Sequence, residues 1–422
     1  MSTEVAERGV FGRLVGQHDV EQSLRDAALS ARGDSSGSEM THAWLFTGPP
    51  GSGRSVAALC FAAALQCTSD GAPGCGECHA CTTTMGGTHG DVRRIIPDGL
   101  SISVKGMREI VNIASRRPTT GRWQVIVVED ADRLTEGAAN ALLKVVEEPP
   151  DRTVILLCAP TTDPEDMSVT LRSRCRHMPL VTPSVESIAQ VLIDRDGLDP
   201  ERARIAASIS GGHVGRARRL ATDESARDER QRSLRLAADA IGASTAYKAA
   251  ENLVKSIEAD TKAFYAELKE QELEELKVSL GGGGTGKGTA GTLRGSAGLI
   301  KDLEARQKSR DTRARRDLLD RTLIDLAGMY RDALSYSLGS TSTATIPTWL
   351  GRPPSWLHER PRRGCSSASK RCSNAARPST STSSCSGRSM RWLPPSEPLS
   401  DPRFRDPGVD QIDSPPPKGT LP

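Results

Sequence analysis

Aromatic side chains are scarce: Phe, Tyr and Trp together make up 3% of the 422 residues. A chain so short of flat rings offers little on which to stack bases, which weighs against a nucleic-acid platform built on aromatic stacking. Excess charge is scarce too. The 56 Lys and Arg residues stand against 53 Asp and Glu, a formal +3, and near balance does not argue for wrapping nucleic acid. Apolar runs of the ~18–20 residues needed to cross a bilayer are missing, so no membrane association is expected. The start, MSTEVAERGVFGRLVG, lacks the apolar stretch of a secretory signal, and a cytoplasmic location is the expectation. In that reducing compartment, clustered cysteines favour a metal over disulfides.

Two features stand out against this plain background. The first is Gly48-Pro49-Pro50-Gly51-Ser52-Gly53-Arg54-Ser55, which fits the phosphate-loop pattern G-x-x-x-x-G-K-[ST] except that Arg54 replaces Lys. Glycines let backbone N–H groups face phosphate, and the following helix adds partial positive charge. Ser55 is placed to ligate Mg²⁺. Arginine keeps the charge but is planar and wider than an ammonium, so weak or absent hydrolysis is expected. The second feature is Cys67, Cys75, Cys78 and Cys81, spaced C-x7-C-x2-C-x2-C just behind the loop's helix. An iron–sulfur cluster of the ferredoxin kind would need another Cys-Pro three residues on, where Met85 and Gly86 stand. A tetrahedral four-thiolate Zn²⁺ site fits, structural because no coordination position stays open. Cys60 and Cys158 lie in apolar stretches and read as core.

Alternating patterns surround these motifs. Short apolar runs at Ala43–Thr47, Val92–Pro97, Gln124–Val128 and Thr153–Ala159 read as strands; helical spacing follows through Ser55–Leu65, Gly106–Arg116 and Gly137–Glu148. Strand–helix alternation of this kind means an α/β fold with a parallel sheet. Glu129-Asp130 closes the Gln124–Val128 strand, where an acidic pair would hold Mg²⁺ and polarise an attacking water. Its order is the reverse of the usual Asp-Glu, and Asp130 is a carbon shorter than Glu; an acidic strand end without catalysis is the plainer reading. After the last of these strands come Thr161, Thr162 and the run Leu171-Arg172-Ser173-Arg174-Cys175. Short helices then run from Pro183 to about Leu220. Long ones follow, with Ile257, Phe264 and Leu268 on one face and Leu319, Leu323, Leu326, Tyr330 and Leu334 on another. The glycine-rich stretch 281–298 reads as a flexible linker; its GGGGTGKGT is not a phosphate loop, because Gly288 follows Lys287 and a helix precedes it. From about Ser337 the chain turns Pro-, Ser- and Arg-rich without period, and disorder is expected. That composition matches what a GC-rich gene yields when read out of frame.

With these residues in view, the chain resembles the delta-prime family of subunits of the bacterial DNA polymerase III clamp loader, relatives of gamma/tau. The resemblance covers roughly residues 10–335. It is carried by the cysteine cluster, by Asn140-Ala-Leu-Leu-Lys-Val-Val-Glu-Glu-Pro-Pro150 and by Ser173-Arg174-Cys175. It implies an AAA+ domain over residues 1–180 with the zinc module at 67–81, a helical lid over 181–245, an incomplete helical collar over 246–336 and a tail over 337–422. It further implies that Arg174 acts in trans on a neighbouring subunit's ATP. Thr161 or Thr162 would be the sensor at a strand end, and Arg216, in Gly211-Gly-His-Val-Gly-Arg216, the second sensor. The implied partners are gamma/tau and delta subunits in a hetero-pentamer and, through it, the sliding clamp and primed DNA. Two other readings of the same residues stay open: an active gamma/tau-type ATPase, and a zinc-dependent nucleic-acid module with a vestigial phosphate loop.

Overall fold

The computed structural model describes residues 9–33, 40–239, 243–280 and 289–338. The disorder expected of the tail lies outside them. Five strands form one wholly parallel sheet: β1 (Ala43–Thr47), β2 (Val92–Ile95), β3 (Gln124–Val128), β4 (Thr153–Ala159) and β5 (Arg176–Pro179), in the order β2-β3-β4-β1-β5. The first helices are α1 (His18–Arg32), α2 (Arg54–Gln66), α3 (His79–Met85), α4 (Val104–Ala114), α5 (Glu136–Glu147) and the short α6 (Val169–Arg172).

Strand alternation divides the core. Trp44, Phe46, Val125, Val127, Val154 and Leu156 face one side, packed with α1 and α2; Ala43, Leu45, Ile126, Val128, Ile155 and Leu157 face the other, with α4 and α5. Side chains two apart share a face, so strands buried on both sides read as continuous apolar runs. Helix α2 is apolar nearly all round and buries Ala57 through Gln66 with few exceptions. Phe61 on it meets Trp44 edge-on at 4.8 Å.

β5 was not legible. The sequence reading ends the sheet at Thr153–Ala159, yet Arg176–Pro179 pairs with β1, Trp44 opposite Arg176 and Thr47 opposite Pro179. Arg-His-Met-Pro has no apolar run, and a proline is tolerated on an edge strand; backbone pairing with β1 decides the conformation. Arg174 therefore sits between α6 and an edge strand, not beyond the sheet.

Helices α7 (Val185–Asp196), α8 (Pro200–Ile209), α9 (Val214–Thr222) and α10 (Glu224–Asp239) follow. Ser184 and Asp199 cap α7 and α8 by accepting from Ser187 N and Arg202 N. Ile188, Leu192, Ala203, Ala206, Ala217 and Leu220 form their own core. Two long helices complete the described chain, α11 (Ala243–Ser279) and α12 (Thr289–Ser337). The expected linker over 281–298 is thus shorter on its C-terminal side, since α12 already runs from Thr289. Each interior glycine costs about 1 kcal/mol, but adding residues to an existing helix avoids the nucleation penalty. The expected face of α11 is also rotated: Ile257 is buried, while Phe264 is 77% exposed. Thr261 turns inward instead, and Arg310 stacks on the Tyr265 ring at 5.2 Å. No helix among the described residues is long and apolar enough to cross a membrane.

A buried carboxylate positions one loop. Asp91, 2% exposed, accepts from the backbone N–H groups of Thr119, Thr120 and Gly121 and from both threonine hydroxyls, at 2.6–2.9 Å. Burial alone would raise its pKa; the five donors override that and hold it well below the usual carboxylate range. A depressed pKa stabilises the fold above the unfolded value of about 3.9, and the benefit is lost as pH falls through the folded value. Asp91→Asn is expected to cost about 2–4 kcal/mol at pH 7. In urea melts, its gap from the parent should narrow below pH ~4; a gap independent of pH would show that the charge is not what holds the loop.

Candidate functional site

The Sγ atoms of Cys67, Cys75, Cys78 and Cys81 all lie within 4.8 Å of one another. Cys67 is 3.7 Å from Cys75 and 3.9 Å from Cys78, sulfur to sulfur. Zinc–sulfur bonds of ~2.3 Å in a tetrahedron require sulfur separations of about 3.8 Å, so the donor set fits that ion. Backbone N–H groups of Cys78 and Cys81 point at the Sγ atoms of Cys75 and Cys78, both at 3.4 Å, as they do where a turn presents thiolates to one metal. The module is tied to the domain at two places. Arg32, in the last turn of α1, donates to the carbonyls of Cys67, Ser69 and Gly71. The 3-10 turn Gly9–Arg13 lies against its other side, with Val10 N donating to Gly74 O at 2.8 Å.

Residues Gly48 through Gly53 leave the carboxyl end of β1, and Gly53 caps α2 with φ 95°, a left-handed conformation that glycine adopts freely. Two polar atoms here are buried without a hydrogen-bond partner, Ser52 Oγ and Arg54 Nη1. Unpaired buried donors of this sort suit an anion, so the loop fits a phosphate group, with Arg54 its charged partner and Ser55 its hydroxyl. Beneath it lies Cys158, whose thiol is pushed up to about 12 by burial, against the pull of the Arg54 charge. The loop is held from outside by Gln17, which was not singled out in the sequence. Its amide donates to Ser52 O at 3.3 Å and to Val181 O at 2.6 Å. A polar residue just before an amphipathic helix is the only signal that could have marked it.

The acidic pair is engaged. Glu129 forms an ion pair with Arg94 of β2. Asp130 adopts φ 51° and is bound by Arg313 of α12 at 2.6 Å, with Arg133 farther off at 3.9 Å. Asp132, also absent from the sequence reading, has a carboxyl raised to about 6, first by burial and then by Asp130, with Arg54 opposing. Arg216 is engaged too: its Nη2 lies 2.6 and 2.5 Å from the two oxygens of Asp325 on α12. Next to it His213 rests on the phosphate loop, since a Cβ at Gly51 would lie 2.5 Å from His213 Cα. Burial, then the charges of Arg321, Arg216 and Arg54, lower the His213 pKa.

At the strand end after β4, Thr161 donates to Asp166 at 2.6 Å and accepts from Asp163 N, while Thr162 O accepts from Arg172. Arg174 pairs with neither Asp163 nor Asp166, although both lie nearer to it in sequence than its partner does. Its Nη2 lies 2.7 Å from Glu147, at the end of α5, and its Nη1 donates to Thr170 O. Both side chains of the pair remain open to solvent, 39% and 44%.

Residues 31–184 match the sequence family described as DNA polymerase III, delta subunit. The delta-prime subunit of Bacillus subtilis is 31% identical over 197 residues, 47% of this chain and 59% of that protein. The delta-prime subunit of Pseudomonas aeruginosa is 35% identical over 186 residues, 42% of this chain and 55% of that protein. The gamma/tau subunit of Mycobacterium tuberculosis is 34% identical over 171 residues, 40% of this chain and 28% of that protein. The chain thus spans somewhat more than half the length of the two delta-prime relatives.

Proposed function

We propose that this chain, a member of the clamp-loader AAA+ family, serves as a delta-prime-type subunit of a bacterial DNA polymerase III clamp loader. In this reading its own nucleotide site is weak or silent and it lends Arg174 to a neighbour's ATP. One contrast carries it. The acidic pair and the lid arginine are tied up inside the chain, by Arg94, Arg313 and Asp325, whereas Arg174 stands near the surface, its one charged partner among the described residues the exposed Glu147. The AAA+ domain covers residues 1–180, the lid 181–245 and the collar 246–336. The four cysteines hold one structural Zn²⁺. ATP and Mg²⁺, if bound at Gly48–Ser55, would meet Arg54 and the Ser55 hydroxyl, and the nucleotide would supply phosphate charge to the two unpaired donors there. Gamma/tau and delta subunits are the partners, in a hetero-pentamer that places the sliding clamp on primed DNA. The test is capture of the full chain from cell extract followed by mass spectrometry. Gamma/tau and delta should co-purify in comparable amounts, and their absence would overturn the assignment.

The unpaired Ser52 and Arg54 atoms favour a second reading, an ATPase of the gamma/tau type, and turnover decides between the two. The isolated chain should hydrolyse ATP far more slowly than the roughly 1–10³ s⁻¹ of ordinary enzymes. Vigorous Mg²⁺-dependent turnover that vanishes in Ser55→Ala would replace the delta-prime reading with the ATPase one.

A further inference from the structure

Helix α12 touches the nucleotide side of the chain at points four residues apart. Ser309 lies against Gly99, where a Cβ would come within 2.2 Å of its hydroxyl. Arg313 binds Asp130 at 2.6 Å and donates to Pro97 O. Asp317 is 3.8 Å from Arg133 and 3.8 Å from Arg313. Asp325 takes Arg216 at 2.5 Å and Arg230 at 3.5 Å. Residues at i, i+4 are neighbours along a helix, the row they form winds by about 40° per step, and sixteen residues at 1.5 Å rise span about 24 Å. One stripe of α12 therefore reaches from the loops behind β2 and β3 to the lid. Below it Ser233 and Thr322 meet at 3.2 Å, and Leu326, Met329 and Ala333 pack with Leu234 and Tyr330.

We infer that α12 is a built-in clasp that holds the lid down on the phosphate loop and must shift before nucleotide can enter. Two of its contacts fall on groups a Mg²⁺–nucleotide would use or displace. Asp130 is neutralised by Arg313. Arg216 is drawn onto Asp325, which is almost fully buried, and its charge is already paired there. His213, which lies against Gly51, caps the helix that carries Arg216 and so is linked to α12 through it. A ligand can move such an equilibrium only by its difference in affinity for the two states, so nucleotide and clasp compete. Anything that draws α12 away raises nucleotide affinity by the same factor by which nucleotide loosens α12. The inference rests on the phosphate-loop reading and is independent of the partner role proposed for Arg174.

The test uses the full chain carrying Arg313→Gln with Asp325→Asn. Hydrogen exchange is followed at residues 48–55 and 211–220, with β3 and β4 as internal standards, and affinity is measured for a fluorescent ATP analogue with Mg²⁺. The clasp predicts at least about tenfold faster exchange in both segments, no change in β3 and β4, and about tenfold tighter nucleotide binding, each tenfold corresponding to ~1.4 kcal/mol. Should the double variant lose its cooperative melt, Arg313→Gln alone is read in the same way, since Arg313 lies outside the lid core. Unchanged exchange overturns the clasp whatever the nucleotide does. Faster exchange with no nucleotide bound upholds the clasp and overturns the phosphate-loop reading on which its purpose rests.

Discussion

Arg174→Ala in a reconstituted clamp loader is expected to lower DNA-stimulated ATP hydrolysis and clamp loading by roughly 10³–10⁵, the range seen when an arginine acting in trans is removed from other phosphoryl-transfer sites. The melting temperature of the chain itself should barely move. Among the described residues its ion pair is with Glu147, and both side chains are well exposed; such surface pairs contribute about 0–1 kcal/mol. A guanidinium at a neighbour's phosphoryl group would instead neutralise charge that develops only in the transition state. Lysine should rescue little, because it lacks the planar fork. Glu147→Gln separates the roles: it removes the local partner but leaves the guanidinium, so the assembled rate should stay within a few-fold of the parent. Unchanged hydrolysis in a correctly assembled Arg174→Ala complex would rule out the trans role.

Cys78→Ser should abolish stoichiometric metal binding and unfold the segment between α2 and β2. Metal analysis of the parent chain should return about one zinc, as four converging thiolates require. Apparent zinc binding in small four-ligand modules reaches about 10–16 kcal/mol near neutral pH, far more than the few hydrogen bonds that tie this module down. Losing the ion should therefore free Cys67, Ser69 and Gly71 from Arg32 and Gly74 from Val10. Thiol titration and zinc release by a chelator should move together. A stable, metal-free chain with four reactive thiols would refute the structural role. Cys67 and Cys81 belong to the core around Trp44, Phe61 and Val127, and Cys75 and Cys78 pack against it, so the melting temperature of the sheet should fall as well.

How far the residues spoke for themselves depends on whether their signal was local. Strands β1, β3 and β4 are buried on both faces and show as unbroken apolar runs, so their ends read to the residue. The four cysteines and the phosphate loop were likewise visible, because their chemistry needs fixed spacing along the chain. β5 was missed for the opposite reason: Arg-His-Met-Pro becomes a strand only because β1 offers it an edge. The buried face of α11 was misplaced at Phe264, since periodicity gives the stripe of a helix but not the rotation at which its neighbours meet it.

The sequence alone determined the parallel α/β core, the position of the glycine-rich loop after its first strand and the close grouping of the four cysteines, all consequences of burial periodicity and short-range spacing within some thirty residues or fewer. Only the tertiary structure decided what the charged residues do. Arg313 reaches Asp130 across 183 positions and Asp325 reaches Arg216 across 109, while Arg174 turns to Glu147 rather than to the nearer Asp163 or Asp166. No local pattern encodes such pairs. A charged side chain has no periodic signature, and its partner is set by which helices and loops the fold brings within a few ångströms, where Coulomb attraction and the cost of leaving a buried charge unpaired make the choice.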